Sequence, residues 1–181
     1  EAGGDKAKSW LTEKLKNHKV RLVTDVEQVD KYQRTLAHLI TETKEHINVQ
    51  LVEQGLAAVN IYPPNLLFAN ELIEAGKRAE LAKRGIWQQV DYAVIPVDKL
   101  GKEGHSGWIR LMGKVAIIRS SRKFVYLEFS DFFQARIEKK WLPLFPDIDN
   151  YRGKSVEVRG WLNKNRGGFS MLIRHPSAIK I

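Results

Sequence analysis

The reading turns on Val29-Asp30-Lys31-Tyr32-Gln33-Arg34-Thr35-Leu36-Ala37. Asp30 to Gln33 is a charged turn, and it feeds a strand predicted over Thr35–Ile40. Arg34 stands at the start of that strand. There its planar fork can point at a phosphate held over the sheet. Lys31 adds positive charge, and Tyr32 a hydroxyl or a stacking ring. An ordinary solvated hairpin turn uses the same residues, and taken alone it is the simpler account.

Upstream of this stretch, Ala7, Trp10, Leu11 and Leu15 recur at helical spacing and predict a helix over Asp5 to Asn17, with Asp5 as its cap. A strand is predicted over Lys19–Thr24. Downstream, a short helix over Val49 to Gln54 stops at Gly55, and a strand is predicted over Ala57–Tyr62. The clearest helix runs from Asn65 to Arg84. Leu66, Phe68, Leu72, Ile73, Ala75, Ala79 and Ala82 give it an apolar stripe, and Gly85 ends it.

Val97 to Gly107 is polar, glycine-rich and preceded by Pro96, so it reads as a linker. Beyond it the texture is β. Trp108–Ile118 alternates through Ile109, Leu111, Gly113, Val115 and Ile117. Phe124–Phe129, Ser155–Leu162 and the residues from Phe169 to Ile173 predict further strands, and Ala178–Ile181 a short last one. Gln134–Leu144 reads as a helical or irregular insert. The expected organisation is a first domain over 1–96, a linker over 97–107 and an OB-like barrel over 108–181.

Charge sharpens this division. The 181 residues carry a formal net charge of +9. Residues 1–106 hold 15 Lys+Arg against 15 Asp+Glu; residues 107–181 hold 15 against 6, so all of the +9 lies in the second part. Such a segment attracts polyanions, although solubility or anionic lipid would use the same charge. No apolar run approaches the ~20 residues of a membrane span. Cysteine is absent, which excludes disulfides and thiolate metal sites. His18, His38, His46, His105 and His175 show no H-x-H or H-E-x-x-H spacing, so no zinc site is expected.

The opening stretch resembles D-[KR]-Y-x-R-x-L-A, the signature of the staphylococcal nuclease (thermonuclease-like) family. Asn48 to Ala57 resembles that family's V-N-x-x-L-V-x-x-G-x-A segment, Val59 to Asn65 its V-Y-x-P-N stretch, and Leu72 to Trp87 its closing helix with G-[IL]-W. These similarities keep their order and spacing over residues 5–88. The resemblance implies an α+β fold, mainly β: a nuclease-type OB-fold barrel with packed helices, followed here by the second small barrel.

It also implies hydrolysis of phosphodiester bonds in DNA or RNA with calcium. In the family two arginines stabilise the phosphorane-like transition state, a glutamate is the proposed general base, and two aspartates with a backbone carbonyl hold the metal. The residue types suit the chemistry, since charge grows on non-bridging oxygens and calcium prefers hard oxygen ligands. Carried over by position, Arg34 matches the second catalytic arginine, Lys31 and Tyr32 the pair at the nucleotide's phosphate end, and Tyr62 a tyrosine of the nucleotide pocket.

Two departures stand out. Gln33 replaces the usual glycine, which predicts a differently shaped turn. The family's first three strands, with one arginine, both aspartates and the glutamate, precede its first helix. Glu1 either ends the D-[AT]-P-E motif found there, which would make it the catalytic glutamate, or is an ordinary loop acid. Asp25 and Asp30 are not at the family's metal positions, so no metal ligand is assigned. A barrel without three strands exposes sheet edges, and the native polypeptide is expected to carry ~50–70 further N-terminal residues.

In the second part, Lys114, Arg119, Arg122, Lys123, Arg159, Lys164, Arg166 and Arg174 interleave with Trp108, Phe124, Tyr126, Trp161 and Phe169. OB-like barrels bind single strands with such sets, while alternating aromatics also simply fill cores. Arg122, Lys123, Lys164 and Arg166 are expected as phosphate contacts because they fall in predicted turns. The expected partner is DNA or RNA, without membrane or protein partners. A nuclease-like fold that binds nucleic acid without cleaving it is the alternative, and a protein-interaction scaffold a third. Family members of this layout are often exported, which points outside the cytoplasm.

Overall fold

The computed structural model describes residues 3–100, 105–165 and 167–181. The chain forms two compact units that divide between Asp91 and Tyr92.

In the first unit, α1 (Gly4–Leu15) is capped by Gly3, so Asp5 lies in the helix's first turn, where a carboxylate complements the positive end of the helix dipole. Strands β1 (Val20–Val23) and β2 (His38–Thr41) pair antiparallel, Val20 opposite Thr41 and Val23 opposite His38. Helix α2 (Ile47–Glu53) starts two residues earlier than expected because His46 caps it, its Nδ1 accepting from the Val49 N–H at 3.2 Å. Helix α3 (Ala69–Leu81) starts later than Asn65, since Phe68 has φ 60° and interrupts helical geometry. The predicted strand over Ala57–Tyr62 does not form; these residues are a loop, with Ile61 buried.

Two glycines set how this unit closes. Gly55 has φ 67° and Gly85 φ 52°, and a Cβ on either would overlap the backbone beside the other. This close approach lets the Ile86 N–H reach the Gly55 carbonyl at 2.8 Å and buries Ile86. The G-I-W sequence after α3 is therefore an anchor onto the end of α2. Glu53 adds a two-pronged pair to Arg78 of α3, both contacts 2.8 Å.

The second unit contains β3 (Val94–Pro96), β4 (Gly107–Lys114), β5 (Ile117–Ser120), β6 (Phe124–Ser130), β7 (Phe133–Glu138), β8 (Ser155–Asn165), β9 (Gly168–Ile173) and β10 (Ile179–Lys180). The sheet order is β3-β4-β8-β9-β7-β6-β5, with β10 beside β8. Its two flanks join through the chain itself. Val115 donates to the Lys154 carbonyl at the β8 side, and Ala116 to the Glu128 carbonyl at the β6 side, 2.9 and 2.8 Å. The expected single strand Trp108–Ile118 is thus two strands meeting at a bend, which closes the sheet into a barrel. Strands β7 and β9 run parallel while their other neighbours in the barrel are antiparallel, the connectivity of the expected OB type.

Alternation fills the barrel. Leu111, Leu127, Ala135, Ile137, Val156, Val158 and Met171 are fully enclosed. Gln134 to Glu138, expected in an insert, belong to β7 instead, because Ala135 and Ile137 alternate into this core; the insert is the 3-10 turns Lys139–Leu144 and Ile148–Tyr151. The expected linker also differs. Val97 and Leu100 are buried in this same core, and β3 pairs parallel with β4, so the second unit begins before Pro96. On the outside of the sheet, Glu157 lies between Arg110 and Arg159, all three nearly enclosed. Burial opposes its charge, but the hydrogen bond from Arg110 and the nearby Arg159 hold its carboxyl below the usual range.

Candidate functional site

The decisive stretch folds as a tight hairpin. Leu36 N–H donates to the Gln28 carbonyl at 2.8 Å, Asp30 N–H to the Arg34 carbonyl at 3.0 Å, and Val29 bridges Thr35. Arg34 therefore sits in the loop, four residues ahead of β2, and not at the start of that strand. Gln33 takes φ 64°, the left-handed conformation a glycine would favour, so the expected change of turn shape does not follow.

Asp30 organises the loop. Its Oδ1 accepts from the Tyr32 and Arg34 N–H groups at 2.8 and 3.0 Å, an Asx-type closure. Its Oδ2 accepts from Arg34 Nε at 2.7 Å and pairs with Nη2 at 2.6 Å. The Asp30 carboxyl is held below its ordinary range, first by the Arg34 N–H and then by the Arg34 side chain. Only one edge of the guanidinium is used, and the Arg34 side chain remains 73% exposed against 18% for Asp30. Tyr32, 66% exposed, carries Lys31 Nζ 4.8 Å and the Arg34 guanidinium 5.3 Å from its ring centre. Lys31, Tyr32 and Arg34 thus form one cationic, aromatic loop tip.

A second set of contacts ties this hairpin to the loop before α3. Asn65 exchanges two hydrogen bonds with the Glu27 backbone, both 2.8 Å. Asp25 accepts from Leu67 N–H at 2.7 Å and Val26 N–H at 2.8 Å. The Leu67 bond, with those of Val26 and Leu66, lowers its pKa. Tyr62, 44% exposed, belongs to the same loop: its carbonyl accepts from Asn65 N–H at 2.9 Å and its hydroxyl from Asn60 Nδ2 at 3.0 Å. Sequence reasoning missed Asp30, Asp25 and Asn65 as organisers. For Asp30 a signal existed: an aspartate opening a turn with an arginine four residues on.

His38, His46 and Phe68 meet edge to face, with ring centres 4.6–5.1 Å apart. Burial pushes both histidines below their ordinary pKa; for His46 the neighbouring His38 adds to this, and for His38 Asp25 and Glu71 oppose it.

Calcium finds no fit in what is described. Among the described residues no group of three or more histidine, cysteine or acidic side chains is placed to hold a metal, and Asp25 and Asp30 have their oxygens committed to backbone N–H groups and Arg34. Glu1 and Arg166 lie outside the described residues. In the second unit Arg122 and Lys123 are exposed between β5 and β6 as expected. Lys164 is exposed too, but within β8 and not in a turn, since β8 runs on to Asn165, which pairs with Gly168. Arg159 is taken up by Glu157. No described helix is long and apolar enough to cross a membrane.

The first unit thus holds a hairpin with an exposed arginine leading into β2, and helices α2 and α3 joined through the G-I-W anchor, in the order in which the nuclease-type motifs run along the sequence. Residues 1–89 match the family model described as staphylococcal nuclease homologue, and this part of the chain belongs to that family. It is 37% identical over 84 residues to the thermonuclease of Staphylococcus hyicus, covering 46% of this chain and 49% of the relative. It is 37% identical over 86 residues to the thermonuclease of Staphylococcus intermedius, covering 48% and 51%. An uncharacterized protein of Bacillus anthracis is 35% identical over 86 residues, covering 46% and 40%. The chain spans about half the length of the curated relatives it matches.

Proposed function

We propose that the chain hydrolyses phosphodiester bonds of DNA or RNA with little sequence preference, and that Arg34 stabilises the charge growing on the scissile phosphate. The observation that carries this reading is the Asp30–Arg34 pair. It orients the guanidinium through one edge and leaves the other exposed beside Lys31 and Tyr32. A guanidinium held before the reaction needs no reorganisation as charge develops. Lys31 and Tyr32 then meet the phosphate end of the nucleotide and Tyr62 its base or sugar. Calcium is the cofactor the family implies; as the described residues do not compose its site, no step is assigned to it.

The test is Arg34→Ala, which lowers turnover on DNA by a factor of about 10²–10³, as for the loss of one charge-stabilising donor. Arg34→Lys does not restore it, because an ammonium cannot keep the Asp30 contact and a phosphate fork together. Turnover unchanged in Arg34→Ala dismisses the catalytic reading. A second reading, binding without cleavage, is favoured by the partial neutralisation of Arg34 by Asp30. It predicts that a nuclease gel shows no cleavage with calcium or with chelator, while salt-sensitive binding persists.

A further inference from the structure

The outer face of the second barrel carries a row of side chains that the core does not need. Alternation along β6 sends Val125 and Leu127 inward and Phe124 and Tyr126 outward; along β7 it sends Ala135 and Ile137 inward and Arg136 outward. Register places Arg119 of β5 opposite Tyr126, and Tyr126 opposite Arg136. Arginine, tyrosine and arginine therefore stand side by side across three strands. The Arg119 guanidinium lies 4.7 Å from the Tyr126 ring centre and that of Arg136 5.5 Å from Phe124; the two rings are 6.1 Å apart and tilted by 49°.

The charges on this face are unevenly met. Arg119 pairs with Glu128 at 2.7 Å. Arg136 has no ion-pair partner among the described residues, and its Nε is shielded from water without a hydrogen bond. Arg136 as a residue is only half-buried, so its charge remains available to a ligand phosphate. Adjoining the row is a cavity of about 390 Å3, lined in part by Arg119, Glu128, Gln134 and Ser130, whose buried Oγ also lacks a partner. Its size lies within the range of small-ligand sites, and its donors and acceptors suit a base edge. Residues 107–181 carry the whole net charge of +9.

We propose that this face binds single-stranded nucleic acid, its bases stacking on Tyr126 and Phe124 and its phosphates meeting Arg119 and Arg136. Paired bases cannot present their faces to these rings, so a duplex is the poorer ligand. The inference rests on nucleic acid being the chain's ligand. It moves the contact from the turn residues Arg122, Lys123 and Lys164 to the sheet between them.

The experiment is fluorescence anisotropy of the full chain, with chelator present to stop cleavage, against a labelled oligothymidylate of about 12 nucleotides and a duplex of equal length. The single strand binds more tightly than the duplex. Tyr126→Leu and Arg136→Ala each weaken it about tenfold, Tyr126→Phe keeps it, and Arg136→Ala lowers the salt slope by about one phosphate. If Tyr126→Leu proves unfolded by circular dichroism, Arg119→Gln, at an exposed position, reads the same face. Wild-type affinity in a folded Tyr126→Leu, or in Arg119→Gln in its place, overturns the proposal, as does equal affinity for duplex. Cleavage of a chromogenic mononucleotide phosphodiester separates this from the catalytic reading: it is lost in Arg34→Ala, while the same Arg34→Ala chain keeps its preference for the single strand.

Discussion

Asp30 and Arg34 form a closed unit in which one carboxylate oxygen holds the arginine's backbone and the other its guanidinium. The aspartate therefore shapes the loop and aims the arginine at once. Asp30→Asn separates the two roles. Its amide oxygen still closes the turn, but its NH2 repels the guanidinium edge. Turnover falls at least tenfold while the melting temperature changes little. Asp30→Ala, which also frees the Tyr32 and Arg34 N–H groups, loses activity to the same degree and becomes more sensitive to proteolysis between Val29 and Leu36.

Gln33 stands in a conformation that costs a side chain about 1 kcal/mol or more. Gln33→Gly relieves this and loses some of the gain to unfolded-chain entropy. Stability rises by less than about 1 kcal/mol in urea denaturation. Gln33→Val, β-branched at a left-handed position, lowers stability by more than that.

Asn65 joins the hairpin to the loop before α3 through two backbone hydrogen bonds. Asn65→Ala removes both at an exposed site, where water replaces them in part, so the loss is about 1–2 kcal/mol. Hydrogen exchange at Glu27 rises most, and turnover falls because the loop carrying Tyr62 moves independently of Arg34.

His38 and His46 give the first unit a pH dependence whose sign follows from their lowered pKa values. In the folded chain they resist protonation, so the unfolded chain binds more protons as pH drops below the ordinary histidine value of 6.5. Their stabilisation is full above that value and is lost as pH falls through the lowered ones. Asp25 and Asp30, also lowered, lose theirs only in the carboxylate range near and below 3.8. Melting temperatures between pH 7 and 5 fall with acidification, and His38→Phe, which keeps the edge-to-face contact and cannot titrate, makes the fall shallower.

The sequence by itself determined the family of the first unit and the β texture of the second, and it singled out Arg34 as the candidate arginine. Stripe and alternation are local properties of helices and strands, and the motif runs through consecutive residues. Tertiary structure alone decided the rest. Phe68 shortened α3, and two glycines brought G-I-W against the end of α2. Val97 and Leu100, polar-flanked in sequence, were drawn into a core completed by strands far along the chain. Arg119, Tyr126 and Arg136 lie up to 17 residues apart in the numbering and became neighbours only through register. Likewise the carboxylates of Asp25 and Asp30 were legible as residues, but not as groups already occupied. Periodicity reports which face a side chain takes; which partner it meets there depends on pairings between distant segments, and those exist only once the chain has folded.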